Sequence, residues 1–222
     1  MLSPNWSLLT PQRPLDPGDP LYEARPDGIG AQVAELVRAG KDAILVAGPV
    51  GVGKSTELAH AARMLQDQRV ACLVRLDRSL NMRNFTVDQA LLRVAGRVAG
   101  LALEHLRLPL SVELRDRLVR HGMLAPEHGE TLMDIPGPTE LLATASPRDL
   151  LATTLREVAR RSRQGRVTLL IDGLEKCRGP RAEEMFEILG SIADPLDLVV
   201  VVPCQVVYGQ GSAAVLRPAE SL

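Results

Sequence analysis

Ala43-Ile44-Leu45-Val46-Ala47-Gly48-Pro49-Val50-Gly51-Val52-Gly53-Lys54-Ser55-Thr56 is the stretch on which the fold turns. The five apolar residues read as a strand, the glycine-rich segment as a tight loop, and Lys54 onward as the first turn of a helix. Together they spell the G-x-x-x-x-G-K-[ST] phosphate-binding pattern. Gly48, Gly51 and Gly53 are expected to take positive φ and to let the backbone approach an anion with no Cβ in the way. The amides of Gly51 through Ser55, at a helix N-terminus with its partial positive charge, then cradle the α and β phosphates of a nucleotide. Pro49, Val50, Val52 and Thr56 complete this candidate nucleotide-binding set. Lys54 adds a point charge at the β/γ phosphates, and the Ser55 hydroxyl takes one place on a hydrated Mg²⁺. A βα turn that binds nothing needs glycines but neither Lys54 nor Ser55.

Farther along, Val167-Thr168-Leu169-Leu170-Ile171-Asp172 is a β-branched run closing on a carboxylate. In a chain with a phosphate loop, an acid at the end of an apolar strand is the place for a residue that holds Mg²⁺, directly or through water. Asp172 is therefore the second metal candidate. Glu175, three residues later, can orient or deprotonate an attacking water, so Glu175, Lys54 and Asp172 form the candidate catalytic set. Two further strand ends carry polar residues. Asp77, after Val70–Leu76, either touches the metal shell or a lytic water, or caps a turn. Gln205, after the run Leu198–Pro203, either senses the γ-phosphate or is a turn amide.

Composition narrows the alternatives. With 222 residues, 45% hydrophobic and 24% charged, the chain can bury a sizeable core in one elaborated α/β domain. A net charge of -1 gives no global attraction to nucleic acid or to anionic lipid. Aromatics make up 2% of the chain, too few for stacking platforms on single strands. Cys72, Cys177 and Cys204 are an odd number without C-x-x-C spacing, which fits a reducing cytoplasm better than a disulfide framework or a zinc site. His60, His105, His121 and His128 show no ligand spacing. Neither a signal peptide nor a membrane-spanning run is expected.

Residues 1–26 hold six prolines and read as an arm or strap, with Leu21 and Tyr22 as candidates to lie near an adenine. The domain proper is expected over 27–205, with 206–222 as a tail of no clear element. Asp27 can cap a helix running to Arg38, and Lys54–Gln66 continues as a second. An all-helical insertion is expected at about 84–150, between the second and third strands. Within that region Thr86 opens a helical pattern over Val87–Leu106, Ser111 caps a shorter one, and 125–147 is mostly loop. Ser146 and Pro147 begin a helix to Arg163, and Gly179–Ala193 forms another. Arg156, Arg160, Arg161, Arg163 and Arg166 fit a solvated helix end better than a DNA contact.

At Asp172-Gly173-Leu174-Glu175-Lys176 the chain resembles the STAND group of signalling ATPases, including NACHT-type proteins. Gly53–Leu58, Leu76-Asp77 and Val202-Pro203 are also similar to bacterial ATPases of the AAA+/STAND kind. The resemblance covers about residues 27–205. It implies a P-loop NTPase fold of three α/β/α layers with a mostly parallel sheet, in which the first and third strands flank the fourth. It also implies ATP/ADP and Mg²⁺ as ligands and an ATP-driven switch with a protein partner or self-assembly. The alternative is a non-hydrolysing, ATP-locked scaffold that binds a partner through its helical insertion. Two departures stand out. The residues after 205 are too few for the lid and winged helix of such ATPases, and Pro203-Cys204-Gln205 lacks their arginine. Arg178, Arg181 or a neighbouring subunit would have to supply it.

Overall fold

Strands that read as unbroken apolar runs must be covered on both faces, and this requirement organises the chain. The computed structural model describes residues 22–23, 28–41, 43–49, 51–125, 146–177, 180–192, 196–202 and 220–221. Four strands carry the sheet: β1 (Ala43–Val46), β2 (Val70–Arg75), β3 (Val167–Asp172) and β4 (Leu196–Val201). Every residue of β1, β3 and β4 is buried, whereas β2 alternates buried and half-buried positions, as suits an edge strand.

A fifth strand, β5 (Glu220–Ser221), pairs with β1. The strand order is β2-β3-β4-β1-β5, and each neighbouring pair is parallel. The fourth strand thus lies between the first and third, the order that the resemblance implied. The expectation of no element in 206–222 is corrected by β5. Two residues carry no periodicity, and their pairing is set by the open side of β1 rather than by their own pattern.

Seven helices occur among the described residues: α1 (Ile29–Arg38), α2 (Lys54–Leu65), α3 (Leu76–Ser79), α4 (Val87–Gly100), α5 (Val112–Arg120), α6 (Pro147–Arg161) and α7 (Arg181–Gly190). The alternation along β1 separates two cores. Ile44 and Val46 join Leu170, Val199 and Val201 against Val33 and Val37 of α1 and Leu58 and Leu65 of α2. Ala43 and Leu45 face the other way, into a larger core with Cys72, Leu169 and Val200 under helices α4 to α7. Helices therefore cover both faces, giving three layers. Burying one Leu or Val in either core contributes about 1.5–3 kcal/mol. The helical region between β2 and β3 shares this larger core: Leu91, Val94, Leu118, Leu150 and Leu155 pack with the strands.

Side-chain caps set the starts of two of the helices, α4 and α6. Thr86 accepts from the Gln89 amide while the Gln89 side chain accepts from the Thr86 amide, a capping box. Ser146 accepts from the Asp149 amide ahead of Pro147 at the first helical position. Ser111 differs from expectation. It stands at the start of α5 but makes no cap bond, because its amide and hydroxyl both donate to Glu157 of α6. The pattern expected to continue as one helix to Leu106 ends at Gly100 and passes into a π-helical turn, Leu101–His105. Asp27, the expected cap of α1, and the segment 126–145 lie outside the described residues.

Candidate functional site

Because the strands are parallel, the loops after β1, β2 and β3 all leave the same edge of the sheet, where α/β folds place their ligands. Cross-strand register puts Asp172 of β3 level with Arg75 of β2. One residue earlier, Ile171 aligns with Val200, and Val200 aligns with Leu45. Asp172 therefore stands two strand spacings, about 10 Å, from the end of β1 that opens the phosphate loop. The Val202 amide donates to Val46 O at 3.1 Å, so the chain leaving β4 runs between the two.

In the loop, Gly51 and Gly53 have φ of +89° and +92°, values that a side-chain-bearing residue rarely adopts. Gly48 has no positive φ, which corrects the expectation for that residue. A Cβ there would instead lie 3.8 Å from Lys54 Cδ and 3.7 Å from Val52, on the inner side of the loop. Gly53 is the cap residue of α2 and offers no side chain to the first-turn amides. Lys54 is only 5% exposed, and its Nζ donates to Gly48 O at 2.8 Å and Pro49 O at 2.7 Å. The ammonium thus ties the start of the loop to its end. Ser55 and Thr56 follow in the same turn, half-buried. Val50 and Gln205 lie outside the described residues.

Asp172 is 3% exposed, and its Oδ1 is buried without a hydrogen-bond partner. A buried carboxylate oxygen ordinarily has at least one partner. Gly173 turns the chain at φ +101° into a short 3-10 turn, Leu174–Lys176, so that Glu175 folds back and its Oε2 accepts from the Gly173 amide at 3.1 Å. Burial pushes the Glu175 carboxyl above its ordinary range. The bond to the backbone opposes that shift, the Asp172 charge adds to it, and Lys176 and Lys54 lower it. Asp172 and Lys54, from two loops, therefore both act electrostatically on Glu175.

Sequence reasoning missed how β2 is fastened to this corner. Asp77, in the first turn of α3, makes no cap bond, which corrects the turn-cap reading; its carboxylate accepts from Lys176 Nζ. That bond, more than any other influence, holds the Lys176 ammonium above its usual range. A Cβ on Gly173 would come within 2.9 Å of the Asp77 amide, so only glycine lets α3 approach this closely. The Asp-Gly pair after an apolar strand was the signal available for it. Another missed contact joins α1 to α2. The Gly30 amide donates to Glu57 Oε2 at 2.8 Å, and a Cβ on Gly30 would lie 2.6 Å from Glu57 O.

Other residues singled out from the sequence are occupied elsewhere. Arg161 pairs with Glu157 and Arg166 with Asp197, both buried acids, which fits a structural use of that arginine cluster. Tyr22 tilts against the His60 ring of α2, with centroids 5.5 Å apart, and burial followed by the Glu57 charge raises its hydroxyl. Leu21 and Arg178 lie outside the described residues. Arg181 donates to Arg83 O at 2.9 Å and stacks over Phe85.

For a metal, the donor set is hard: the unpartnered Asp172 oxygen and the hydroxyl of Ser55. Among the described residues no group of three or more His, Cys, Asp or Glu forms a cage. One carboxylate and a hydroxyl fit Mg²⁺, which keeps waters and shares phosphate oxygens rather than filling an all-protein shell. Among the described residues no helix is long and apolar enough to cross a membrane. The chain matches no protein family, no curated protein and no solved structure with which it was compared.

Proposed function

We propose that this is a P-loop ATPase domain of the AAA+/STAND kind, binding ATP or ADP with Mg²⁺ and acting as a nucleotide-dependent switch in signalling or assembly. The buried, unpartnered Asp172 oxygen, at the same sheet edge as a left-handed glycine loop that ends in Lys54, carries this reading. Under it, the first-turn amides of α2 and the Lys54 ammonium hold the phosphates. Ser55 and Asp172 hold Mg²⁺, which when bound offsets phosphate charge. Glu175 positions the water that attacks the γ-phosphate, and its carboxyl, raised by burial, is a stronger base than a free carboxylate. Its bond to Gly173 holds the side chain toward the corner instead of solvent.

The helical region between β2 and β3 is the part we assign to a protein partner or to self-assembly, since segments added to a shared scaffold commonly carry specificity. A cytoplasmic location goes with the free thiols of Cys72 and Cys177. Gln205, which follows β4 in the sequence, completes the reading as a sensor of the γ-phosphate.

Steady-state ATP hydrolysis with Mg²⁺, measured over a range of protein concentrations for the parent and for Glu175→Gln, tests the proposal. Turnover by the parent and at least a hundredfold less by the variant is expected. Equal rates would remove Glu175 from the chemistry.

A further inference from the structure

Around the outer edge of β2, away from the phosphate loop, lies a cavity of about 510 Å³. None of its lining residues belongs to Gly48–Thr56, and none is acidic. Four are arginines: Arg75 at the end of β2, Arg78 in α3, and Arg93 and Arg97 on α4, with the Ser79 hydroxyl beside them. Arg93 and Arg97 stand four residues apart on one helix face, where like charges repel and an acid is the usual companion. Among the described residues Arg78, Arg93 and Arg97 form no ion pair, whereas Arg69, Arg117, Arg161 and Arg166 each do.

The cavity is shaped by the fold. Gly96 sits inside α4, where glycine costs about 1 kcal/mol against alanine. A Cβ there would lie 3.0 Å from Met123 Cβ and 3.3 Å from Met123 O, so glycine is what seats Met123 directly on α4 as a wall. The Arg97 charge reaches Cys72, whose thiol burial pushes up to about 12 and Arg97 partly offsets, which puts this guanidinium close to β2. A second recess of about 490 Å³ adjoins the first through Ser79, Arg93 and Met123, and the side-chain amides of Asn81, Asn84 and Gln89 line it.

We propose that these adjoining recesses bind a small phosphorylated molecule. Arg75, Arg78, Arg93 and Arg97 hold two or more phosphate charges, and its neutral polar body rests against Asn81, Asn84 and Gln89. Guanidinium forks match phosphate oxygens two at a time, and a concave wall of one charge sign concentrates the attraction. Each recess falls within the size range of small-molecule sites. A nucleic acid would need a continuous basic track, and a chain of net charge -1 with four arginines gathered in one recess favours the small ligand.

Calorimetric titration with pyrophosphate tests this on the Lys54→Ala chain, in which the phosphate loop is disabled. Binding with Kd below about 1 mM is expected. It should weaken at least tenfold when Arg93→Ala and Arg97→Ala are added, and should recover in part with Arg93→Lys and Arg97→Lys. These side chains are exposed, so circular dichroism should be unchanged. No heat from the Lys54→Ala chain, or binding indifferent to the arginine substitutions, overturns the proposal. Displacement of pyrophosphate by a short DNA duplex at equal phosphate concentration overturns it in favour of nucleic acid.

Discussion

Asp172 and Asp197 are both buried acids on neighbouring strands, yet they live in opposite circumstances. Asp197, near the start of β4, is 1% exposed and saturated: Arg69 and Thr168 donate to Oδ2 at 3.0 Å, and Arg166 donates to Oδ1 through Nε at 3.1 Å and Nη2 at 2.8 Å. Asp172, at the end of β3, is 3% exposed and leaves Oδ1 without a partner. A saturated buried carboxylate fastens strands together. An unsaturated one at the ligand edge of a parallel sheet is poised for something from outside the chain. The two ends of one sheet thus differ: one holds the fold through a saturated acid, and the other carries the unsaturated acid on which the proposed chemistry rests.

The contrast breaks most readily at Asp197. Asp197→Ala leaves Arg69 and Arg166 facing a buried gap and should cost about 3–5 kcal/mol of unfolding free energy, read by urea denaturation. Loss below about 1 kcal/mol would mean that the clamp is incidental. On the other side, Lys54→Ala should keep the fold and lower ATP affinity at least a hundredfold, about 2.8 kcal/mol by calorimetry. Unchanged affinity would overturn the site assignment. Gly173→Ala sits between the two kinds of effect. At φ +101°, with the Asp77 amide 2.9 Å from the new Cβ, it should lose about 1–2 kcal/mol or more and slow hydrolysis together.

The smallest effect separates charge from packing. Burial raises the Glu175 carboxyl in the folded protein, so the native state holds that proton more tightly than the unfolded chain does. As pH rises through the carboxylate range, ionising Glu175 therefore costs native stability. Glu175→Gln should raise Tm by a few degrees at neutral pH and not at all below the unfolded carboxylate range. An equal rise at both pH values would point to packing as its cause.

What was legible in the sequence follows the same division. The strands, the loop and Asp172 are local patterns: apolar runs, glycines at fixed offsets, an acid at a strand end. The saturated clamp was not legible, because Arg69, Thr168, Arg166 and Asp197 meet only through strand register, with Arg69 and Asp197 128 positions apart. For the same reason the Asp77–Lys176 pair, 99 residues apart, gave no signal. Ser111 read as a helix cap because its neighbours fit one, and the competing acceptor, Glu157, lies on another helix. Gly48 matched the motif by type while its backbone has no need of a positive φ.

The central claim is that the free oxygen of Asp172 serves a metal-bound nucleotide. ATP affinity of the parent and of Asp172→Asn, each titrated with and without Mg²⁺, tests it most directly. The account predicts that Mg²⁺ strengthens binding to the parent at least tenfold and does nothing for the variant, whose unfolding free energy stays within about 1 kcal/mol of the parent. A variant that keeps the full Mg²⁺ dependence, or that unfolds as Asp197→Ala is expected to, contradicts it.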